Sequence, residues 1–145
     1  AFVGMGLNHT YGDIARSVME GIGFGLREMI EIFDAPISQV RMIGGGSKSD
    51  AWRQIVADIT GKEVTITTLT QETNAWGAAL CAGVGVGLWP DFTVTDKLIQ
   101  VVDTVKPRSE YREVYDKMFA AFKDAYKALV PTYAALAEVR KGEDE

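Results

Sequence analysis

Three consecutive glycines, Gly44 to Gly46, are the residues of this sequence best suited to bind a ligand. Glycine lacks a Cβ atom, so it adopts positive φ readily and lets a ligand approach the main chain. Ser47 and Ser49 follow at once, where a helix is predicted to begin. A helix N-terminus presents unpaired N–H groups, so a glycine turn that opens into a helix favours an anion such as phosphate. The turn is equally compatible with a structural role, in which it only packs the helix on the preceding strand.

Other kinds of site are poorly supported by the residue types. The chain has one histidine, His9, and one cysteine, Cys81, far apart in sequence, whereas a zinc site needs several such ligands at close spacing. A Ser-His-acid triad would depend on His9, and no nucleophile-elbow sequence is present. The glycine turn lacks both Walker A spacing and the spaced glycines of dinucleotide sites. Four carboxylates are candidate general bases: Asp13, Asp50, Asp58 and Glu72. Structural roles such as helix capping are the simpler interpretation for them.

The glycine turn is predicted to join a strand to a helix. A strand is predicted at 39–43, where a short apolar run at 40–43 precedes the turn. Apolar side chains at helical spacing follow the turn up to Gly61, which suits the left-handed position after a helix. The candidates for the N-cap of this helix are Ser47, Ser49 and Asp50. We expect Trp52 to pack in the core rather than stack on a base. The alternating, β-branched stretch 63–68 predicts a second strand.

Two more helices flank this unit. Helical spacing of apolar residues predicts a long helix at 13–33, with Asp13 as its N-cap or first-turn acid. Glycine inside a helix costs about 1 kcal/mol relative to alanine, so glycines in this one indicate close packing by another element. They are Gly21, Gly23 and Gly25. A third helix, rich in small residues that allow close approach, is predicted at 75–86 with Asn74 at its cap.

The C-terminal third is less regular. Residues 94–105 fit either a short helix or a strand. Spaced aromatic residues predict a long helix at 108–129, Pro131 is expected to begin a further helical stretch, and 141–145 is a charged tail. Only two strands are recognisable, whereas a typical sheet has about four to six. We therefore predict a helix-rich α/β unit whose remaining strands lie outside this sequence.

The composition is that of a globular protein, with 47% apolar and 24% charged residues. No apolar run reaches the roughly 18 residues that span a membrane. The net charge is −5 and the lysines and arginines are scattered, which argues against a nucleic-acid surface. One cysteine cannot form an internal disulfide, so a cytoplasmic location is expected and Cys81 is interpreted as a small core residue. The start at Ala1, inside an apolar run, suggests a piece of a longer polypeptide.

Three motifs taken together resemble the FGGY family of carbohydrate kinases. They are GGGSKSDAWRQIVADITGKEV from Gly44, ETNAWGAALCAGVGVGLW from Glu72, and NHTYGDIARSVMEGIGFGLR from Asn8, in which Tyr11 replaces the usual arginine. The resemblance implies an actin-like, ribonuclease H-like fold in two domains. It further implies that residues 1–145 are the C-terminal part of the second, nucleotide-binding domain, and that the sugar-binding domain is absent.

The resemblance also implies a nucleotide site on the glycine turn. Gly45 and Gly46 would run along the α-phosphate, ribose and adenine, and Ser49 stands where relatives place a polar side chain near the adenine edge. Gly77 and Ala78 would flank the purine. The complete set of implied cofactor-binding residues is Gly44, Gly45, Gly46, Ser47, Ser49, Asn74, Gly77 and Ala78.

The implied activity is transfer of the γ-phosphoryl group of Mg-ATP to a sugar hydroxyl, with D-xylulose favoured by the spaced tyrosines of the C-terminal helix. The implied ligands are ATP, Mg²⁺ and the sugar; a homodimer is also predicted, and the catalytic aspartate is expected upstream of Ala1. Alternatives are a kinase for ribulose, gluconate or glycerol, or a non-catalytic, actin-like interaction module. Such a module would use the aromatic face from Tyr111 to Phe122 for its partner.

Overall fold

The computed structural model describes residues 1–70 and 72–141. Its helices and strands are α1 (Tyr11–Ile32), β1 (Gln39–Met42), α2 (Asp50–Thr60), β2 (Glu63–Thr67), α3 (Thr73–Gly85), α4 (Thr95–Leu98), β3 (Val101–Val105) and α5 (Arg112–Lys141). Short 3₁₀ turns lie at Gly45–Lys48, Phe92–Val94 and Ser109–Tyr111. The predicted order of helix, strand, helix, strand and helix is confirmed. Of the charged tail expected at 141–145, all but the backbone of residue 141 lies outside the described residues.

The strands form one sheet in the order β1-β2-β3. β1 and β2 are parallel, with Val40 beside Val64, and α2 is the crossover between them. β3 runs antiparallel to β2 and places Val105 opposite Val64. Residues 94–105 were predicted to form either a short helix or a strand, and they contain both: α4 is a one-turn helix and β3 is a strand. Within the described ranges no helix has the length and apolar character needed to cross a membrane.

The core lies on both sides of α2. On one side, Ile55 and Ile59 pack in a cluster with aromatic residues of α1 and α5, namely Phe24, Tyr115 and Phe119. On the other side, Val56 and Ala57 pack on the sheet in a second cluster with Val64 and Ile66. Because Tyr115 and Phe119 are buried within this chain, they are not available to a partner. This weakens the alternative that assigned an interaction surface to the aromatic face of α5.

Of the three glycines predicted to mark close packing of α1, Gly23 is the one that meets another element among the described residues. A Cβ atom on Gly23 would lie 2.7 Å from Cδ1 of Ile59, so α1 and α2 approach each other closely there. Gly21 and Gly25 have no described heavy atom within 4 Å of such a position. The expectation of close packing is confirmed for Gly23 and is wrong for the other two within this chain.

The helix caps differ in detail from the expectation. Thr10 is the N-cap of α1, and Asp13 is its first-turn acid, which was one of the two roles predicted for Asp13. The two residues form a reciprocal capping box. The main-chain N–H of Thr10 donates to the carboxylate of Asp13 at 2.8 Å, and this bond, with a second from the Thr10 hydroxyl, lowers the pKa of Asp13 below its usual value. Gly61 caps α2 in the left-handed conformation with φ of 66°, as predicted.

The C-terminal helix begins later and runs further than expected. Arg108 lies before the helix and is held by Asp58 on α2. The main-chain N–H of Arg108 donates to Asp58 at 2.8 Å, and its guanidinium donates from Nε at 3.0 Å and from Nη2 at 2.6 Å. Pro131 lies inside α5 and does not start a second helix. Proline removes one main-chain hydrogen bond, and at this exposed position water can satisfy the carbonyl left without a donor.

The ion pair between Asp58 and Arg108 gives a stability prediction. Asparagine at position 58 would match the size of the fully buried aspartate, but its NH₂ group cannot accept from the guanidinium. We expect Asp58→Asn to lower the free energy of unfolding by about 2–3 kcal/mol in urea denaturation. The control is Asp124→Asn on the exposed face of α5, expected to change it by no more than about 0.5 kcal/mol. Equal losses in the two variants would contradict the structural role of Asp58.

Candidate functional site

The glycine turn and the start of α3 lie at the same edge of the sheet. β1 and β2 are parallel neighbours, so the segments that follow them leave the sheet side by side. The main-chain N–H of Gly44 donates to the carbonyl oxygen of Thr70 at 2.6 Å, which joins the two segments directly. Sequence reasoning missed Thr70. Two predicted strands joined by one helix are typical of a parallel pair, and that signal could have placed the loop after β2 beside the turn.

The fold constrains the three glycines of the turn to different degrees. Gly44 has φ of 76°, a conformation that residues with a side chain rarely adopt. A Cβ atom on Gly46 would lie 3.0 Å from Cδ1 of Trp52, so a side chain there would fit only if the indole moved by a few tenths of an ångström. Gly45 has neither constraint, since no described heavy atom lies within 4 Å of its Cβ position. The fold therefore explains Gly44 and Gly46 and leaves open, accessible main chain at Gly45.

The two serines of the turn have different environments. Ser47 is buried, and its hydroxyl donates to the carbonyl oxygen of Gly44 at 2.7 Å, which closes the turn. Ser49 is exposed and is the N-cap of α2, where its Oγ accepts from the N–H of Trp52 at 3.3 Å. An N-cap hydroxyl accepts through a lone pair and keeps its own O–H to donate. Ser49 can therefore donate to an acceptor outside the fold, whereas Ser47 supports the turn.

The helix does not begin directly after the glycines, contrary to the expectation. The 3₁₀ turn Gly45–Lys48 intervenes, and the first turn of α2 carries the carboxylate of Asp50. A negative side chain at that end already complements the helix dipole. The α2 N-terminus is thus less suited to phosphate than the sequence suggested, and accessible main chain at the glycines is what the turn offers a ligand.

The predicted residues of α3 are all exposed or half-buried. Asn74 is the second residue of α3 and not its cap, because Thr73 is already helical and Glu72 occupies the N-cap without a side-chain capping bond. Asn74, Gly77 and Ala78 lie about one turn apart, which puts them on neighbouring positions of one helix face. No described heavy atom lies within 4 Å of a Cβ position on Gly77. This part of α3 therefore has a smooth, open surface.

The candidate general bases have structural roles or stand outside an organised site. Asp13 is held in the α1 capping box and Asp58 by Arg108. Asp50 pairs with Arg53 at 2.6 Å. Glu72 is exposed at the start of α3. In the described part of the chain no group of three or more His, Cys, Asp or Glu side chains is placed to hold a metal ion.

The environment of Cys81 differs from the expectation. Cys81 is exposed on α3, so its interpretation as a core residue is wrong; α3 has only Leu80 and Gly83 buried among its described residues.

A groove of about 520 Å³ lies between residues 1–5, α1 and α5. Its described lining includes Asp13, one of the candidate bases, and none of the predicted nucleotide-binding residues, so it is separate from the glycine turn.

The open surface at Gly77 gives a second stability prediction. Alanine at position 77 meets no neighbour and raises helix propensity, so Gly77→Ala should raise the free energy of unfolding by about 0.5–1 kcal/mol. Gly83→Ala in the same helix should lower it, because the new methyl group would overlap the ring of Trp89. Thermal or urea denaturation of the two variants measures both. A loss of stability in Gly77→Ala would show that the fold itself requires this glycine.

A family model and a sequence relative that match this chain both represent carbohydrate kinases. A sequence model of the C-terminal domain of the FGGY family of carbohydrate kinases matches residues 1–86. The chain is 32% identical over 132 residues to xylulose kinase of Staphylococcus epidermidis, covering 88% of this chain and 26% of that protein. It thus spans about a quarter of the length of such relatives.

Solved structures agree on the fold. Ligand-bound xylulose kinase from Lactobacillus acidophilus superposes with a TM-score of 0.83 at 26% identity, over 94% of this chain and 28% of that chain. Gluconate kinase from the same organism gives 0.81 at 26% identity over the same shares. The predicted class, an α/β and helix-rich part of an actin-like, ribonuclease H-like ATPase domain, is confirmed. The chain belongs to the FGGY family of carbohydrate kinases.

Proposed function

We propose that this chain is the C-terminal part of the nucleotide-binding domain of an ATP-dependent sugar kinase and that it binds the adenosine portion of ATP. The observation that carries the proposal is the pairing of an accessible glycine turn with the smooth surface of α3 at one sheet edge, joined by the bond from Gly44 to Thr70. Neither Gly45 nor Gly77 has a described heavy atom within 4 Å of its Cβ position, so both positions leave main chain open to a flat ligand.

The residues fit the nucleoside better than the reacting phosphate. Gly45, Gly77 and Ala78 offer contact surface, and the exposed Ser49 and Asn74 offer polar groups suited to the edges of a base or ribose. Glycine N–H groups near the turn can approach an α-phosphate oxygen. ATP bound here supplies the γ-phosphoryl group, and the chain's own residues orient the nucleotide, which is a large share of catalysis in phosphoryl transfer.

The remaining chemistry is assigned to residues outside this chain. The described residues provide no cluster for Mg²⁺, so they do not fit the metal, and we derive no step through it here. Asp13, Asp50 and Asp58 are already engaged in capping or ion pairs. We accordingly propose that the base that accepts the sugar hydroxyl's proton, and the sugar-binding domain, belong to the rest of a longer protein.

D-xylulose is the proposed sugar, and kinases for other sugars or polyols are the alternative. The name of the relative from S. epidermidis favours a xylulose. The fold does not discriminate, because structures named for xylulose and gluconate resemble this chain almost equally, at TM-scores of 0.83 and 0.81. A screen of pentuloses, hexonates and polyols with the complete kinase decides between them. A homodimer and a cytoplasmic location stay predictions.

The proposed division of labour predicts weak binding by this chain alone. Favourable charge interactions at a helix end contribute about 0.3–1 kcal/mol, up to about 2 when partly buried, whereas a micromolar complex requires about 8 kcal/mol. We expect the isolated chain to bind ATP in the millimolar range or not at all, and to phosphorylate no sugar. Titration calorimetry and a coupled kinase assay measure this. Micromolar affinity, or turnover of a pentulose, would contradict it.

Substitution of Gly45 tests the nucleotide site in the complete kinase. Leucine at position 45 has room in the fold but would occupy the space above the turn, so Gly45→Leu should raise KM for ATP by about tenfold or more, an effect of about 1.4 kcal/mol. KM for the sugar should stay unchanged. Gly45→Ala is the matched control, with an intermediate effect. Unchanged ATP kinetics in Gly45→Leu, in a protein that folds normally, would favour a purely structural glycine turn.

A further inference from the structure

We propose that Trp52 is a positioning residue of the nucleotide site, because its indole supports the glycine turn from the side of the core. The inference rests on the proposed function, since it concerns the same site. The sequence predicted that Trp52 packs in the core. The structure adds that the indole packs on both core clusters and also lies beside the glycine turn at Gly46.

The contact is made by one edge of the indole. The nearest atoms to a Cβ position on Gly46 are Cδ1 of Trp52 at 3.0 Å and Nε1 at 3.1 Å. At such distances a methyl group at position 46 would fit only if the indole moved by a few tenths of an ångström. The Cβ direction of Gly46 therefore points at the five-membered ring of Trp52, which limits the movement of the turn toward the indole.

The indole is in turn held by the core. Trp52 is half-buried and packs against both apolar clusters, the one with α1 and α5 and the one with the sheet. Its main-chain N–H also donates to Oγ of Ser49 at 3.3 Å. A displacement of Trp52 would thus alter Gly46 and Ser49 together, and both are proposed nucleotide contacts. Trp52 acts through them and is not assigned a contact with the nucleotide itself.

Removal of the indole should act on ATP binding and not on the chemical step. A void next to Gly46 lets the turn adopt other conformations, and binding must then order it, which weakens affinity. Contacts to adenosine are the same before and during phosphoryl transfer, so losing them raises KM with kcat unchanged. A tryptophan that only filled the core would instead lower the amount of folded enzyme and leave KM for ATP as it was.

Steady-state kinetics of the complete kinase tests this separation. We expect Trp52→Ala to raise KM for ATP at least about fivefold, with kcat and KM for the sugar within about twofold of the unsubstituted enzyme. Trp52→Phe retains an aromatic ring beside Gly46 and should restore most of the affinity. The matched control is Phe119→Ala, which removes a buried ring from the same core cluster away from the turn. It should lower stability and leave KM for ATP unchanged.

A spectroscopic measurement keeps the test valid if Trp52→Ala does not fold. The complete kinase is labelled with 5-fluorotryptophan, and the ¹⁹F resonance of Trp52 is assigned by its loss in Trp52→Phe. Titration with ATP should shift this resonance, and the dissociation constant fitted to the shift should equal the one measured by calorimetry. The resonance of Trp89, which packs on Gly83 in the last turns of α3, should shift less.

The outcomes separate this inference from the proposed function. An unchanged KM for ATP in folded Trp52→Ala, or a Trp52 resonance that does not respond while calorimetry reports ATP binding, would overturn the role of Trp52 alone. If the unsubstituted complete kinase does not bind ATP, the proposed function itself fails. If KM rises equally in Trp52→Ala and Phe119→Ala, the effect is general destabilisation and the inference fails.

Discussion

Burial of α2 on both sides is the constraint on which the rest of the structure depends. Its residues from Ile55 to Thr60 are all buried, so it has no solvent-facing side over its last turns. A helix enclosed in this way needs small residues where neighbours cross it, which explains Gly23 opposite Ile59. It also requires a partner for any charge it contains. Asp58 obtains that partner from Arg108, and the pair fixes where the chain turns into α5.

The same enclosure positions the candidate site. The N-terminal turn of α2 carries Trp52, whose indole is held between the two core clusters and lies against Gly46. The opposite side of the turn is joined through Gly44 to the loop after β2. The glycine turn is therefore fixed from two directions, and its remaining glycine, Gly45, stays accessible. A preorganised main-chain surface of this kind binds without a large ordering cost.

Sequence patterns predicted what local chemistry determines. Helical periodicity and the cap at Gly61 gave α2 nearly to the residue, because its signals are contained in its own segment. The errors concern residues whose state depends on distant neighbours. β3 could not be chosen over a helix because its pairing with β2 is not visible locally. Cys81 was predicted to be a core residue, but it is exposed because no described element covers that face of α3. Pro131 was predicted to begin a helix but lies inside α5, and its own sequence neighbours do not show whether a helix tolerates it. For the site, the glycines could be selected from sequence, but coordinates were required to show that the fold constrains Gly44 and Gly46 and leaves Gly45 accessible.

The state of the carboxylates is one reason why we propose an adenosine-binding role for this chain and not a catalytic one. A general base must reach the proton it removes and be free to accept it. Asp13 accepts two hydrogen bonds from Thr10, which lower its pKa, so it is a weaker base than an ordinary aspartate. Asp58 is enclosed with Arg108 and has no access to a substrate. Main chain at Gly45 and the face of α3 at Gly77, by contrast, are accessible and uncharged. Such surfaces hold a ligand in place and do not exchange protons with it, so the contribution proposed for this chain is positioning of the nucleotide.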